Sequence, residues 1–258
     1  MPSHLSDIGF KVVDHEGFTR IAMQAAREGE VIPVRDGSYL KWSPGAGIEL
    51  WAQLDLDHDI IGLNPHYAGS ATMRIGLTQR VLRPQGTNLD GAFYGWANPS
   101  EDDSETGEFP FVFDAPDYRL HDDRAIPAIA EVQLAAFAHE QQGFANEKAF
   151  DESQAEDMML ASEAFIPSGL FTAEGSTEPP QAEAIFSGHI MKTAIITNPA
   201  TEADLLWARV STLGGEIEVV ADPEVLEGSL VVGGVIKGSF WLTGRVLNSH
   251  TAKSRDAS

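Results

Sequence analysis

The sequence predicts an α+β fold rich in β-structure, with a βαβββ-like N-terminal unit and a small C-terminal β-barrel or curled sheet. Two observations support this prediction. The 24 Gly and 14 Pro residues divide the chain of 258 residues into many short segments, as in all-β and α+β proteins. Most of these segments alternate apolar and polar residues, which is the pattern of a half-buried strand. With 43% apolar residues, the chain can bury a core of ordinary size.

The N-terminal unit is predicted from residues 7–54. Residues 8–13 alternate as a strand, and Asp14 can cap a helix that ends at Gly29. One apolar stripe runs along this helix at Phe18, Ile21, Ala22 and Ala25. Three strands are expected to follow, at 31–34, 39–42 and 48–54. The pair Asp36-Gly37 predicts a hairpin turn between the first two of them.

The middle of the chain gives a mixed prediction. Strands are expected at 73–82, 91–96 and 109–114. Residues 124–145 remain open between helix and strand, because their alanine density favours a helix whereas alternate positions are apolar with a period of two. Residues 151–163 are predicted to form a helix that begins at Asp151.

The C-terminal unit is predicted to be almost wholly β. Strands are expected at 184–197, 205–212, 216–221, 230–237 and 239–247. Five short strands in so few residues suit a small barrel or a curled sheet. The chain is accordingly divided into a β-rich α+β unit at 1–172, a linker at 173–182, an all-β unit at 183–250 and a disordered tail at 251–258.

The charge of the chain limits its partners. The formal net charge is −22, and residues 101–180 hold 19 acidic side chains against 3 basic ones. A field of this sign repels phosphate backbones and anionic lipid, so we expect neither nucleic acid nor a membrane as a partner. No stretch approaches the roughly 18 apolar residues of a membrane span, and no signal peptide is visible. We therefore expect a cytoplasmic location.

Motifs for catalysis are absent from the sequence. There is no cysteine, which excludes a disulfide scaffold, a thiolate zinc site, an iron–sulfur cluster and a cysteine nucleophile. The glycine pairs match neither phosphate-binding pattern, and no G-x-S-x-G or H-E-x-x-H motif occurs. The leading prediction is therefore a non-catalytic binding or protein-interaction module. A small-molecule ligand, if there is one, is not identified by the sequence.

Two tryptophans are candidate interaction residues. Trp51 lies on the predicted strand 48–54, and Trp241 lies on a segment where Phe240 and Leu242 alternate toward the interior. The alternation leaves Trp241 on the outer face, where it is either an interface anchor or is covered by the N-terminal unit of the same chain. We therefore expect self-association through a β-face.

A family resemblance gives an alternative prediction. The segment from Tyr39 to Trp51 reads YLKWSPGAGIELW. It is similar to the D-P-x-G-x-x-x-E-L strand pair of glyoxalase-like proteins, so residues 7–54 resemble one module of the vicinal oxygen chelate superfamily. The resemblance covers under a fifth of the chain. It implies that Glu49 is the glutamate ligand of the terminal strand, whereas Ile8 stands where the first strand of metal-dependent members supplies a histidine.

The resemblance implies a metal-dependent enzyme of the lyase, isomerase or dioxygenase class that acts on a small molecule. Its metal ligands would be Glu49 and His66, with His58 as a third candidate. His58 lies in the acidic segment 55–59, a predicted hairpin tip, and His66 lies in the loop 64–69. Imidazoles and carboxylates of this kind can bind zinc. We expect no cofactor under the leading prediction and a divalent metal ion under the alternative.

Overall fold

The computed structural model describes residues 4–12, 14–155, 159–171 and 177–247. Two α-helices and two β-sheets form in these residues, which confirms the predicted α+β, β-rich fold class. The helices are α1 (His15–Glu28) and α2 (Glu147–Ser153). The strands are β1 (Glu30–Val34), β2 (Gly37–Gly45), β3 (Ile48–Leu54), β4 (Ile60–Tyr67), β5 (Met73–Leu82), β6 (Gly91–Ala97), β7 (Pro110–Asp114), β8 (Ala128–Phe144), β9 (Ala164–Ile166), β10 (Glu183–Thr197), β11 (Asp204–Thr212), β12 (Gly215–Ala221), β13 (Leu226–Gly228) and β14 (Val235–Val246). No helix among the described residues is long and apolar enough to cross a membrane.

Sheet A contains β1 to β4 in antiparallel order, with β4 at one edge. Asp14 caps α1 by accepting a hydrogen bond of 2.7 Å from the backbone N–H of Gly17, as its sequence position predicts. Strand β3 is buried along its whole length. Apolar side chains of α1 and sheet A share a core with Ala135 and Phe137 of β8, so the two sheets are packed together.

Sheet B is organised around the long antiparallel pair β8 and β14, which we call the β8–β14 ribbon. The free edge of β8 pairs first with β5 and then with β12 and β13. The free edge of β14 pairs with β10 and then with β7. Because β6 joins β5 to β7, and β11 joins β12 to β10, the strand pairings close two circuits that share the ribbon.

One apolar core fills the interior of sheet B. It combines side chains of β5 to β8 with side chains of β10 to β12 and β14. Phe186 stacks on Phe240 with ring centres 4.0 Å apart, and both rings are completely buried. Sheet B thus takes strands from both sides of the predicted linker at 173–182, and this segment does not separate two sheets. Residues 173–176 of the linker and the predicted tail at 251–258 lie outside the described residues.

The predicted strand at residues 8–13 is wrong for the part that the structure describes. Residues Ser6–Ile8 form a 3-10 turn instead, and Val13 lies outside the described residues. Gly9 adopts a φ of 81° and donates its N–H to the carbonyl of Ser6 at 2.9 Å. Glycine tolerates this left-handed conformation, which interrupts the extended backbone that a strand at residues 8–13 would need. The elements that follow, α1 and β1 to β3, lie where the sequence predicts them.

The open segment 124–145 is a strand, since β8 covers most of it. The predicted helix at 151–163 is wrong: α2 begins earlier, capped by Asn146, and ends at Ser153. Residues 156–158 lie outside the described residues. After the helix, the side chain of Gln154 exchanges two hydrogen bonds with the backbone of Leu160, at 2.7 and 2.9 Å.

The two predicted strands at 230–237 and 239–247 form a single strand, β14, which begins only at Val235. Gly238 lies inside this strand and does not mark a turn. A Cβ atom at this position would lie 2.4 Å from the carbonyl oxygen of Glu140 and 2.7 Å from the ring of Phe240. Glycine is needed at this position because strands β8 and β14 approach closely there. A glycine in the sequence can mark either such a contact or a turn, and the pattern does not distinguish the two.

The stacked pair in the core of sheet B gives a stability prediction. Phe240→Ala should lower the free energy of unfolding by about 3–5 kcal/mol, because it removes a fully buried ring and leaves a cavity. Leu82→Ala, at a side chain that is 61% exposed on β5, should change it by less than about 0.5 kcal/mol. Urea denaturation followed by circular dichroism measures both values. Equal effects of the two substitutions would contradict the placement of Phe240 in the core.

Candidate functional site

A cavity of about 720 Å³ lies beside the edge strand β4, between sheet A and sheet B. Strands β4 and β14 and three connecting segments, at 83–91, 114–116 and 177–181, contribute to its wall. The polar side chains in the wall include Asn64, Arg83, Asp90, Asp114 and Thr243, and its apolar groups include Trp241, Pro84, Pro116 and Pro179. The cavity thus combines an aromatic ring with several polar groups that come from separate parts of the chain.

Asp114 lies at the end of β7 and is held by two donors. Arg83 contacts one carboxylate oxygen through Nε at 2.8 Å and Nη2 at 2.7 Å, and the indole N–H of Trp241 donates to the other oxygen at 2.7 Å. Burial raises the pKa of Asp114 above its ordinary value, and the nearby charge of Asp90 acts in the same direction. Arg83 and Trp241 oppose this shift only in part, so the protonated form of Asp114 is favoured relative to an exposed aspartate.

Asp90 lies directly before β6 and links it to sheet A. One carboxylate oxygen accepts from Gln53 Nε2 at 2.6 Å and from Asn64 Nδ2 at 2.9 Å. The other oxygen accepts from the backbone N–H of Thr87 at 2.8 Å. Among the described residues, these donors are all neutral, and no lysine, arginine or histidine forms an ion pair with Asp90. The carboxylate of Asp90 is therefore held by hydrogen bonds without an ion-pair partner among the described residues.

Behind the cavity wall, a buried histidine joins sheet A to the β8–β14 ribbon. His66 on β4 is completely buried, with Nε2 at 2.8 Å from Gln133 Oε1 and Nδ1 at 3.3 Å from Thr243 Oγ1. Gln133 in turn donates to the carbonyl of Tyr67 at 2.8 Å. Burial lowers the pKa of His66 below its ordinary value, and the Glu49 carboxylate and the Gln133 hydrogen bond oppose this only in part. The ring is therefore neutral near pH 7, and both of its nitrogens are in use.

Glu49 on β3 belongs to a second buried set of charges. Its carboxylate accepts from Lys41 Nζ at 2.6 Å and from the indole N–H of Trp51 at 3.0 Å, and Arg245 lies 3.6 Å away. Burial alone would raise the pKa of Glu49, but the adjacent His66, the hydrogen bond from Lys41 and the charge of Arg245 together lower the pKa below its ordinary value. Arg245 also donates to Asp117 at 3.0 Å, so the set continues toward β7.

The structure brings together only two of the three predicted metal ligands. Glu49 and His66 are direct neighbours across β3 and β4. His58 is exposed at the tip of this hairpin, beyond the Leu54–Ile60 pair, which itself lies five register positions or roughly 17 Å from Glu49 along the strands. Within the described residues, no group of three or more histidine, aspartate or glutamate side chains could hold a metal ion. Because the donor atoms of Glu49 and His66 already have hydrogen-bond or charge partners, these residues do not fit a metal site.

The two predicted interaction residues have different environments. Trp51 is completely buried, and the charged groups of Lys41 and Arg245 lie 5.3 and 4.9 Å from its ring centre. The prediction that Trp51 is an exposed contact residue is therefore wrong, because this face of β3 packs against the rest of the chain. Trp241 is half-buried, stacks on His4 with ring centres 4.4 Å apart, and lines the cavity. Its position favours contact with a ligand in the cavity.

Sequence reasoning missed the residues that shape the cavity. Arg83 follows directly after β5, and Asp114 is the last residue of β7. Asn64 lies in a segment that the sequence predicts as a loop. Polar residues at strand ends are the only local signal that these positions carry. Which strand ends meet depends on long-range pairing, and that pairing is not readable from local patterns.

No protein-family model, curated protein or solved structure matches the chain. The function is therefore argued from the chemistry of the cavity and of the side chains behind it.

The buried imidazole gives a prediction on pH dependence. His66 stays neutral in the folded protein, whereas in the unfolded chain it takes up a proton as the pH falls through about 6.5. Its contribution to stability is thus present above this pH and declines below it. His66→Gln should reduce the slope of unfolding free energy against pH, in the range directly below about pH 6.5, by up to about 1.4 kcal/mol per pH unit. Urea titrations at several pH values measure the slope, and an unchanged slope would show that folded His66 is protonated in this range.

Proposed function

We propose that this protein is a non-catalytic binding protein whose ligand is a small molecule held in the cavity beside β4. The observation that carries the proposal is the wall of this cavity, where the ring of Trp241 lies beside the fixed carboxylates of Asp90 and Asp114. Small-molecule sites are typically concave, about 300–1,000 Å³ in volume, and lined by apolar groups with a few placed polar ones. The cavity has these properties.

The hydrogen bonds of the wall support binding as its role. Asp90 accepts from three donors, and Asp114 is held by Arg83 and Trp241. Side chains fixed in this way lose little conformational entropy when a ligand arrives, which favours affinity. Behind the wall, His66 is neutral and hydrogen-bonded at both ring nitrogens. Its bond to Thr243 supports a role in holding the Thr243 hydroxyl in position in the wall.

A fragment screen by ligand-observed NMR tests the proposal. Fragments should bind with dissociation constants that Gln85→Trp raises at least about 10-fold, since the added indole would occupy the cavity of which Gln85 is part. Gln79→Trp, the same change at an exposed position of β5 outside the cavity, should leave binding unchanged. A screen without hits, or hits that both variants weaken equally, would overturn the proposed site.

Self-association through a β-face stays part of the proposal. The contact would be made by apolar residues that are exposed on a strand. Strand β10 carries Met191, which is 48% exposed, and Ile195, which is 69% exposed. Apolar side chains with this exposure on a strand are suited to contact with a second copy of the chain. Trp51 cannot contribute, because it is buried.

Sedimentation velocity measures the self-association. If β10 forms the contact, Ile195→Lys should shift the protein to the monomer, because a charge would be buried in the interface. Leu82→Lys, at an exposed leucine on β5, should leave the oligomer intact. A wild-type protein that stays monomeric at high concentration would rule out this part of the proposal.

The other expected partners and the location remain proposals. The net charge of −22 argues against nucleic acid as a partner, and a chain without cysteine suits the reducing cytoplasm. The resemblance of residues 7–54 to the vicinal oxygen chelate superfamily stays a prediction. A metal-dependent enzyme of this class is the alternative, and the engaged donor atoms of Glu49 and His66 count against it.

A further inference from the structure

We propose that the ligand of the cavity is an organic cation, a small molecule that presents an ammonium group to Asp90. The inference rests on the proposed function and adds the chemical class of the ligand. It follows from the direction of the hydrogen bonds around the cavity, which leave acceptors in the wall and engage its charged and aromatic donors within the protein.

The hydrogen bonds of Gln133 and His66 fix the role of Thr243. The carbonyl oxygen of Tyr67 can only accept, so the Gln133 atom 2.8 Å from it is the NH₂ group, and Gln133 Oε1 faces His66. Because Oε1 also only accepts, Nε2 of His66 carries the ring proton. Nδ1 of the neutral ring then accepts the hydroxyl proton of Thr243. Toward any other group, the hydroxyl of Thr243 can therefore only accept.

The same reasoning fixes the side-chain amide of Asn64. A carboxylate only accepts, so the Asn64 atom 2.9 Å from Asp90 is Nδ2. The amide oxygen of Asn64 is thereby turned away from Asp90 and left as an acceptor. Thr243, Asn64, Asp90 and Asp114 thus give the wall four acceptor groups.

The charged and aromatic donors of the wall are used within the protein. Arg83 donates to Asp114 through Nε, contacts it through Nη2, and donates to the carbonyl of Pro180 through Nη1 at 2.6 Å. The indole N–H of Trp241 donates to Asp114. Both side chains are thus held by groups of the protein itself.

The backbone of the wall is also poor in donors. Three of the lining residues, Pro84, Pro116 and Pro179, have no N–H. The N–H of Gly86 bonds to the carbonyl of Arg83 at 3.0 Å, and that of Ala115 bonds to the carbonyl of Gly91 at 3.0 Å. A carboxylate or phosphate ligand would meet acceptors here, whereas an ammonium group supplies three N–H donors.

The charge of the wall decides between a cation and a neutral donor. Asp114 is paired with Arg83, but the donors on Asp90 are neutral. An ammonium group beside Asp90 would balance its charge and would make charge-assisted hydrogen bonds, which are about twice as strong as neutral ones. The apolar part of the ligand would lie against Trp241 and the prolines.

Three matched probes test this inference on the unmodified protein. Phenethylamine, 2-phenylethanol and phenylacetate share a ring and a two-carbon chain but differ in charge. Isothermal titration at about pH 7 should show the amine binding at least about 10-fold more tightly than the alcohol, with the anion weakest. NMR of the ring nitrogens should show that His66 carries its proton on Nε2.

Variants place the amine at Asp90. Asp90→Asn should weaken the binding of phenethylamine about 10-fold, because it removes the charge and keeps the shape. Asp102→Asn makes the same change of charge in an exposed loop and should have no effect. Circular dichroism confirms that each variant is folded, and the three-probe comparison does not depend on any variant.

The outcomes separate this inference from the proposed function. If the alcohol or phenylacetate binds in the cavity as tightly as the amine, the ligand class is wrong and the binding function stands. A proton on Nδ1 of His66 would remove the acceptor role of Thr243 and overturn the inference, as would amine binding that Asp90→Asn leaves unchanged. If no probe or fragment binds, both proposals fail.

Discussion

The central part of the β8–β14 ribbon, at residues 132–138 of β8, is buried on both faces, and the rest of the structure depends on this constraint. On its inner face, Phe240 and Leu242 join the core of sheet B. On the outer face, Trp241, Thr243 and Arg245 alternate with them and meet sheet A or the cavity. Strands buried on both faces are usually apolar throughout. Because this outer face carries polar groups, each of these must find a partner within the protein or lose the hydrogen bonds that water would give it.

The partners of these polar groups are what fix sheet A on sheet B. Thr243 and Gln133 bond to His66, and Arg245 bonds to Asp117 and lies beside Glu49. A second connection runs from Gln53 on β3 to Asp90. Gln53 can reach Asp90 because its cross-strand neighbour is Gly62, where a Cβ atom would lie 2.3 Å from Gln53 Oε1. The cavity wall is therefore part of the same hydrogen-bonded framework as the contact between the sheets.

The sequence was most informative where local patterns decide the structure. The cap at Asp14, the helix that follows and the Asp36-Gly37 hairpin depend on neighbouring residues, and they lie where predicted. Residues 124–145 could not be assigned, because a strand buried on both faces loses the contrast between apolar and polar positions on which the period depends. Gly9 and Gly238 misled for opposite reasons. Gly9 ends an alternating segment through a positive φ, whereas Gly238 allows close packing inside a strand.

The candidate site was predictable only in part for a related reason. Glu49 and His66 are neighbours in the β3–β4 hairpin, although the sequence predicts a loop at 64–69. The partners that decide their chemistry lie far away in the chain: Gln133 and Thr243 hold His66, and Arg245 lies beside Glu49. The pairing of β8 with β14 brings these residues to one surface, and no local pattern encodes it. Residue type therefore suggested a metal site, whereas the long-range partners make the same side chains structural.

The composition of the chain and the character of the cavity have a common origin. The chain has 17 lysines and arginines for 39 acidic residues. Buried carboxylates take up several of these cations: Arg209 pairs with Glu218 at 2.9 Å, Lys41 with Glu49, and Arg83 with Asp114. A buried carboxylate that lost its cation would be strongly destabilising, so these pairs cannot release their donors to a ligand. Asp90, which is held by neutral donors alone, is where the excess of acidic groups reaches the cavity.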